Sequence, residues 1–212
     1  MLHIHSFTFN PFQENTFLII NEQKLCWIVD PGMYDVQETN QLVKYITDND
    51  LKPQAIINTH THIDHIFGVQ ALIDKYQIPF GVNEKDMPVL KNAAGSAMLF
   101  GLNFGKAPEP TFFIPDSGKM DLGGDEIEIR FTPGHSPGSV VFYYAQGSWL
   151  IGGDVLFSGG IDGTDLPSGN FETLINSIKN ELFTLPDGTT VHCGHGPSTT
   201  IRNEKEYNPF LN

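Results

Sequence analysis

Cysteine is scarce in this chain. Two cysteines in 212 residues, Cys26 and Cys193, exclude a disulfide framework and fit a reducing compartment. Positive charge is scarce as well: 12 Lys+Arg stand against 25 Asp+Glu, a formal net charge of −13. That balance argues against a protein that tracks nucleic-acid phosphates or adheres to an anionic membrane. Long apolar runs are missing, and the longest stretches are strand-sized rather than bilayer-sized. The opening residues, MLHIHSFTFNPF, have neither the basic n-region nor the apolar h-region of a secretory signal. The expectation is a cytoplasmic protein with no nucleic-acid partner and no membrane partner. What is present is a 40% hydrophobic share, enough for a sizeable core, so we expect a single domain over residues 1–212.

Hydrophobic periodicity divides the chain into short strands and helices. Strands are expected at His3–Phe9, 16–20 and Leu25–Val29, the last ended abruptly by Asp30-Pro31-Gly32. Val36, Leu42, Val43 and Ile46 share one helical face. Residues 55–58 form a buried strand running into a cluster of histidines. Ile66, Val69, Leu72 and Ile73 have helical spacing, and residues 80–82 read as a strand. Residues 84–103 read as mostly helical, with a long Gly/Pro-containing loop reaching Pro115. Strands follow at 126–131, 139–144 and 149–151, then a last helix from Phe171 carrying Leu174, Ile175, Ile178 and Leu182, and a final strand at 189–191. The pattern is α+β in layers, with histidines recurring where strands end.

Three of the eight histidines fall in one segment, NTHTHIDH at residues 58–65. His60, His62, Asp64 and His65 are four ligand-type side chains within six residues, directly after a buried strand. In an extended segment His60, His62 and Asp64 point to one side. Asp64 and His65 diverge where a helix begins, so one stretch can feed two adjacent metals. Imidazole and carboxylate together suit zinc, iron or manganese. Further ligands are expected at other strand ends: His135 in TPGHSPG, Asp154 after Gly152-Gly153, and His195 in HCGHGP.

The T-H-x-H-x-D-H segment, the T-P-G-H-S-P-G turn, G-G-D and the late G-H-G resemble the metallo-β-lactamase superfamily, and most of all its glyoxalase II-like hydrolases. The resemblance implies a four-layer αβ/βα sandwich with two divalent metal ions at one edge, zinc first, iron or manganese as alternatives. It implies His60, His62 and His135 on one metal, Asp64, His65 and His195 on the other, and Asp154 bridging them. Asp30 resembles the family's carboxylate that orients ligating imidazoles from behind. Cys193, beside a ligand, is read as a small packed residue. His3, His5 and His192 are read as structural, and Arg202 and Lys205 as solvated helix charges.

The activity so implied is thioester hydrolysis of a small-molecule substrate. A metal-bridging hydroxide is the nucleophile, Asp64 holds its proton, and the thiolate leaves without a strong acid. The runner-up is a mononuclear iron dioxygenase acting on persulfides, ligated by His60, His135 and Asp154 alone. A third reading is a metal-binding interaction module. Glyoxalase II holds glutathione through basic residues beyond an N-P-F segment, and Asn208-Pro209-Phe210 lacks them here, so a short acyl thioester should serve nearly as well as a glutathione one. Lys91 and Lys106 are the cations to suspect otherwise. Phe67, where the family often has a small residue, is expected to narrow the pocket.

Overall fold

In the computed structural model, residues 1–163 and 168–211 are described; 164–167 and Asn212 lie outside the described residues. The first sheet has the order β1 (His3–Phe9), β2 (Glu14–Ile20), β3 (Leu25–Val29), β4 (Lys52–Ile57), β5 (Phe80–Asn83), β6 (Phe112–Ile114). Its first three strands pair antiparallel and the rest parallel. Helices α1 (Val36–Asp48) and α2 (Val69–Tyr76) make the parallel crossovers, and α3 (Met87–Lys91) and α4 (Ala93–Leu99) lie between β5 and β6.

The second sheet contains β7 (Ser117–Leu122), β8 (Asp125–Phe131), β9 (Val140–Tyr144) and β10 (Trp149–Gly153). A short ribbon of β11 (Leu156–Phe157) and β12 (Gly160–Ile161) follows, then α5 (Phe171–Ser177), β13 (Thr190–Cys193), β14 (Thr199–Thr200) and α6 (Ile201–Tyr207). β13 pairs parallel to β10, giving the order β14-β13-β10-β9-β8-β7.

Strand alternation explains the layering. Side chains alternate across a strand, and here both faces are apolar. In β2, Phe17 and Ile19 face the second sheet while Leu18 and Ile20 face α1 and α2. In β9, Val140 and Phe142 face the first sheet, while Val141 and Tyr143 meet Leu174 and Ile201 of the outer helices. Three apolar cores result, so the architecture is helix, sheet, sheet, helix: an αβ/βα sandwich. Each fully buried aliphatic or Phe side chain contributes about 1.5–3 kcal/mol to holding these layers. Helices α1, α5 and α6 start on side-chain caps: Asp35 accepts from the Glu38 amide, Asn170 from Thr173 and Thr200 from Asn203, each interaction contributing about 1 kcal/mol.

The segment expected to be helical over 84–103 is broken. A 3-10 turn at Glu84–Asp86 precedes α3, Asn92 separates α3 from α4, and α4 ends at Leu99. Asn92 donates its backbone N–H to the Pro88 and Val89 carbonyls and has φ −91° and ψ 4°, outside the helical region, which ends α3 there. The long loop contains β6, and β7 follows it; β7 is largely polar and exposed, so no apolar alternation announced it. The helix expected from Ile66 begins at Val69, after a 3-10 turn at Ile63–His65. The helix from Phe171 passes into a π-helical turn at Ile178–Leu182, and it is not the last, since α6 follows. Among the described residues no helix is long and apolar enough to cross a membrane.

Candidate metal centre

The candidate ligands and two of the acids behind them sit just past the C-terminal ends of strands. β3 ends into Asp30, β4 into the 60–65 segment and β5 into Asp86; β8 leads to His135, β10 to Asp154 and β13 to His195. The parallel pairing of β3, β4 and β5, and of β10 with β13, puts these ends at one edge of the sandwich.

The structure brings all seven predicted ligands together. His60, His62 and His135 form one group, and Asp64, His65, Asp154 and His195 a second, with the ligand atoms of each within 4.8 Å of one another. In the first group His135 Nε2 lies 2.7 Å from His62 Nδ1 and 3.2 Å from His60 Nε2. In the second, His195 Nε2 is 3.1 Å from Asp64 Oδ2. Asp154 Oδ2 spans both: it lies 3.3 Å from His65 Nε2, 3.4 Å from His195, 3.7 Å from His135 and 3.8 Å from His60. Gly153 makes this possible. It adopts φ 51°, and a Cβ there would meet Thr59 Oγ1 at 2.4 Å, so glycine lets the strand turn closely past the first histidine loop.

The far sides of the His60, His65, His135 and His195 rings are held. Asp30, fully buried, accepts from the Thr59 amide at 2.7 Å and the Thr59 hydroxyl at 2.6 Å, and its Oδ2 lies 3.1 Å from His65 Nδ1. Thr59 Oγ1 is in turn 3.1 Å from His60 Nδ1. His195 Nδ1 is 3.0 Å from the Phe12 carbonyl, and His135 Nδ1 is 3.1 Å from the Gly163 carbonyl and 3.2 Å from Asp162 Oδ2. Such contacts fix the tautomer and aim the opposite nitrogen at the centre. Asp30 thus does what its sequence context suggested.

The electrostatics fit cations. Burial, aided by neighbouring His135, holds the His62 pKa down at about 3, and burial with His65 and His62 nearby holds His60 well below its ordinary value. Both rings are therefore neutral, and each has one ring nitrogen with a lone pair to offer. On the other side, burial opposes charge on His195, but its hydrogen bonds to Asp154 and Asp64 prevail and raise it to about 10. Burial likewise opposes charge on His65, which Asp154 and Asp64 raise well above the usual imidazole range. Asp154 Oδ1 is buried without a hydrogen-bond partner among the described residues. Neutral imidazoles, shared carboxylates and one orphaned carboxylate oxygen are a donor set that suits divalent cations.

Three contributors escaped the sequence reading. Asp86, buried at 0% exposure, accepts from Thr61 N at 2.6 Å, Thr61 Oγ1 at 2.7 Å, Gly138 N at 2.8 Å and the Ser136 hydroxyl. It ties the His60 loop to the His135 turn. Glu14, also fully buried and raised well above its ordinary pKa by burial, accepts from Thr16 and stands 3.8 Å behind His65. Asp162, raised to about 6 by burial and by Asp154, backs His135. The only signal available for Asp86 was its place after a parallel strand.

Other expectations meet the structure as follows. Cys193 is buried, its thiol pushed up to about 12 by burial, and belongs to none of the ligand groups. His192 contacts Ser198 and packs against Phe17 and Trp149, and His5 stacks on Tyr45. Lys205 pairs with Asp187. Phe67 does not narrow the site: it lines a separate groove with Tyr34 and Phe104, its ring packed on both. Lys106 lines that same groove and pairs with Glu109, and Lys91 lines neither cleft. The centre itself opens into a cleft of about 780 Å³.

Residues 9–195 match the Metallo-beta-lactamase superfamily. The "Probable metallo-hydrolase YqgX" of Bacillus subtilis (strain 168) is 41% identical over 204 residues, 95% of this chain and 94% of that protein. The "Hydroxyacylglutathione hydrolase GloC" of Haemophilus influenzae is 38% identical over 95% of this chain and 94% of its own length. Among solved structures, the BLEG-1 B3 metallo-beta-lactamase superposes with a TM-score of 0.91 at 36% identity, covering 99% of this chain and 100% of that one. TTHA1623 in a di-iron-bound form gives 0.87 at 36% identity, covering 98% and 100%. With a layered sandwich, a shared ligand edge and matches along nearly its whole length, this chain belongs to the metallo-β-lactamase superfamily.

Proposed function

We propose that this protein is a dinuclear metal-dependent hydrolase of small-molecule thioesters. The observation that carries the reading is the position of Asp154 Oδ2, within 3.3–3.8 Å of four imidazole Nε2 atoms drawn from both ligand groups. When bound, a pair of divalent ions supplies Lewis acidity for a carbonyl and a water acidic enough to react near neutral pH. The chain's own residues do the rest. His60 and His62 present neutral nitrogens on one side, with His135 beside them; Asp64, His65 and His195 present the other set. Asp64 is partly exposed to the cleft, and its carboxylate serves as acceptor for the proton of the attacking water. Asp30, Glu14 and Asp162 hold the rings from behind. A thiol leaves as thiolate from a pKa near 8.5, so no strong acid is required in the cleft. The similarity to a hydroxyacylglutathione hydrolase supports the thioester reading.

A second reading rests on a subset of the same geometry. His60, His135 and Asp154 converge within 3.2–3.8 Å, which is also a two-His, one-carboxylate set for a single iron acting on persulfides with O₂. One experiment separates them. The protein is loaded with zinc, iron or manganese, its metal content measured, and each form assayed on thioesters and, in an oxygen electrode, on a persulfide. Two metals per chain and O₂-independent thioester cleavage are expected. One iron and O₂ uptake without thioester cleavage would overturn the hydrolase.

A further inference from the structure

The cleft in front of the centre has an unusual wall. Around one ligand group it is formed by Pro88, Val89 and Pro137, and around the other by Phe12, Phe100 and Phe157. The chain fixes this assignment. Pro88 and Val89 lie in the first turn of α3, two and three residues after Asp86, which binds the His135 turn. Phe12 presents its carbonyl to His195, and Phe157 lies edge-on to the same imidazole at 6.2 Å. Phe12 packs edge-to-face on Phe100 at 5.4 Å. Apolar surface therefore flanks both ligand groups. At the mouth Leu99 is 86% exposed, a large apolar side chain left in water beside the opening.

Outside the centre, the ionisable lining of the cleft is acidic. Its ionisable lining residues are the carboxylates and imidazoles of the centre with Asp162, and no Lys or Arg lines it among the described residues. The undescribed residues 164–167 contain no Lys or Arg either. A peptide thiol with free carboxylates finds no cation here beyond the centre itself.

We infer that the substrate is an uncharged, apolar thioester, with hydrocarbon on the acyl side and no anionic group on the thiol. This rests on the thioesterase reading of the centre and departs from the glutathione thioester named for the Haemophilus influenzae relative. The cleft volume suits a ligand of that kind. Burial of each added methylene against such walls multiplies affinity about fourfold.

The test pairs turnover with binding on the zinc-loaded protein. N-acetylcysteamine thioesters from acetyl to octanoyl are assayed for kcat/KM, and the matching free carboxylates are titrated by calorimetry. Both series should steepen about fourfold per methylene until the cleft is filled. Val89→Ser and Phe100→Ser should flatten them, with zinc content unchanged. The glutathione thioester should be poorer than the N-acetylcysteamine ester of the same acid. A binding gradient without cleavage of any thioester leaves the apolar cleft standing and overturns the hydrolase reading. Cleavage with series flat within twofold, or a tenfold preference for the glutathione thioester, overturns the apolar substrate and leaves the hydrolase.

Discussion

Replacing Asp86 should damage the centre without touching a ligand. The carboxylate is inaccessible to water and accepts hydrogen bonds from the Thr61 and Gly138 amides and the Thr61 and Ser136 hydroxyls. In Asp86→Ala the two hydroxyls can turn to other partners, but the two buried amides cannot. An orphaned buried N–H costs about 1–3 kcal/mol, so the pair costs about 2–6 kcal/mol, a large share of the stability of an ordinary domain. Asp86→Asn keeps one accepting oxygen and aims an NH₂ at a donor, so it should lose roughly half as much. Ser136→Ala removes a single partner and should cost about 1 kcal/mol. The histidine loops would also drift, and His60 and His135 must keep their nitrogens 3.2 Å apart; losses of this kind lower metal affinity about 10–100-fold. Urea unfolding of the three variants, each with a chelator and with excess zinc, reads stability and affinity separately. If Asp86→Ala unfolds within about 1 kcal/mol of the parent and binds zinc within threefold, the carboxylate is not the tie described here.

Asp154→Ala should lose metal and at least a hundredfold in turnover, because one shared carboxylate faces both ligand groups, whereas Cys193→Ser should keep full metal content; elemental analysis of both variants checks this. Gly194→Ala places a methyl 2.0 Å from Asp154 Oδ1 and 3.0 Å from His65 Cε1; it should fold and yet bind metal at least tenfold more weakly, as a zinc titration would show. Metal uptake should expel the protons that His65 and His195 hold in the metal-free chain, so apparent affinity should climb about tenfold per pH unit for each proton released. Calorimetry in buffers of different ionisation enthalpy measures that release, and its absence would refute the raised imidazoles. In the metal-free chain the raised His195 stabilises the fold below its ordinary 6.5, and this contribution disappears as pH rises toward about 10.

The seven candidate ligands were visible in the sequence because they cluster after strand ends, a local pattern, and because the motifs that carry them resemble those of the family. Glu14 and Asp86 were invisible for the opposite reason. Each is one acid among 25 Asp and Glu, and its value comes from partners elsewhere in the chain: Gly138 is 52 residues from Asp86. Asp30 was legible through the resemblance of its V-D-P-G segment to the family's, although its φ of 50° was not. The break at Asn92 and the polar strand β7 were missed because neither changes the hydrophobic period. Phe67 was misplaced because its position beside the histidines in sequence says nothing about which way the 3-10 turn carries it.

The ligands come from both sheets, and this governs when the centre can exist. His60 and His135 are 75 residues apart in the chain, and His65 and Asp154 are 89 apart. Contacts across such intervals form late, after the local hairpins and crossovers. A metal therefore meets a finished pair of sheets rather than a folding nucleus. Interactions absent from the transition state slow unfolding without speeding folding. A chelator should leave the refolding rate unchanged and shorten the lifetime of the native chain, so that metal supply sets how long each molecule persists rather than how quickly it forms.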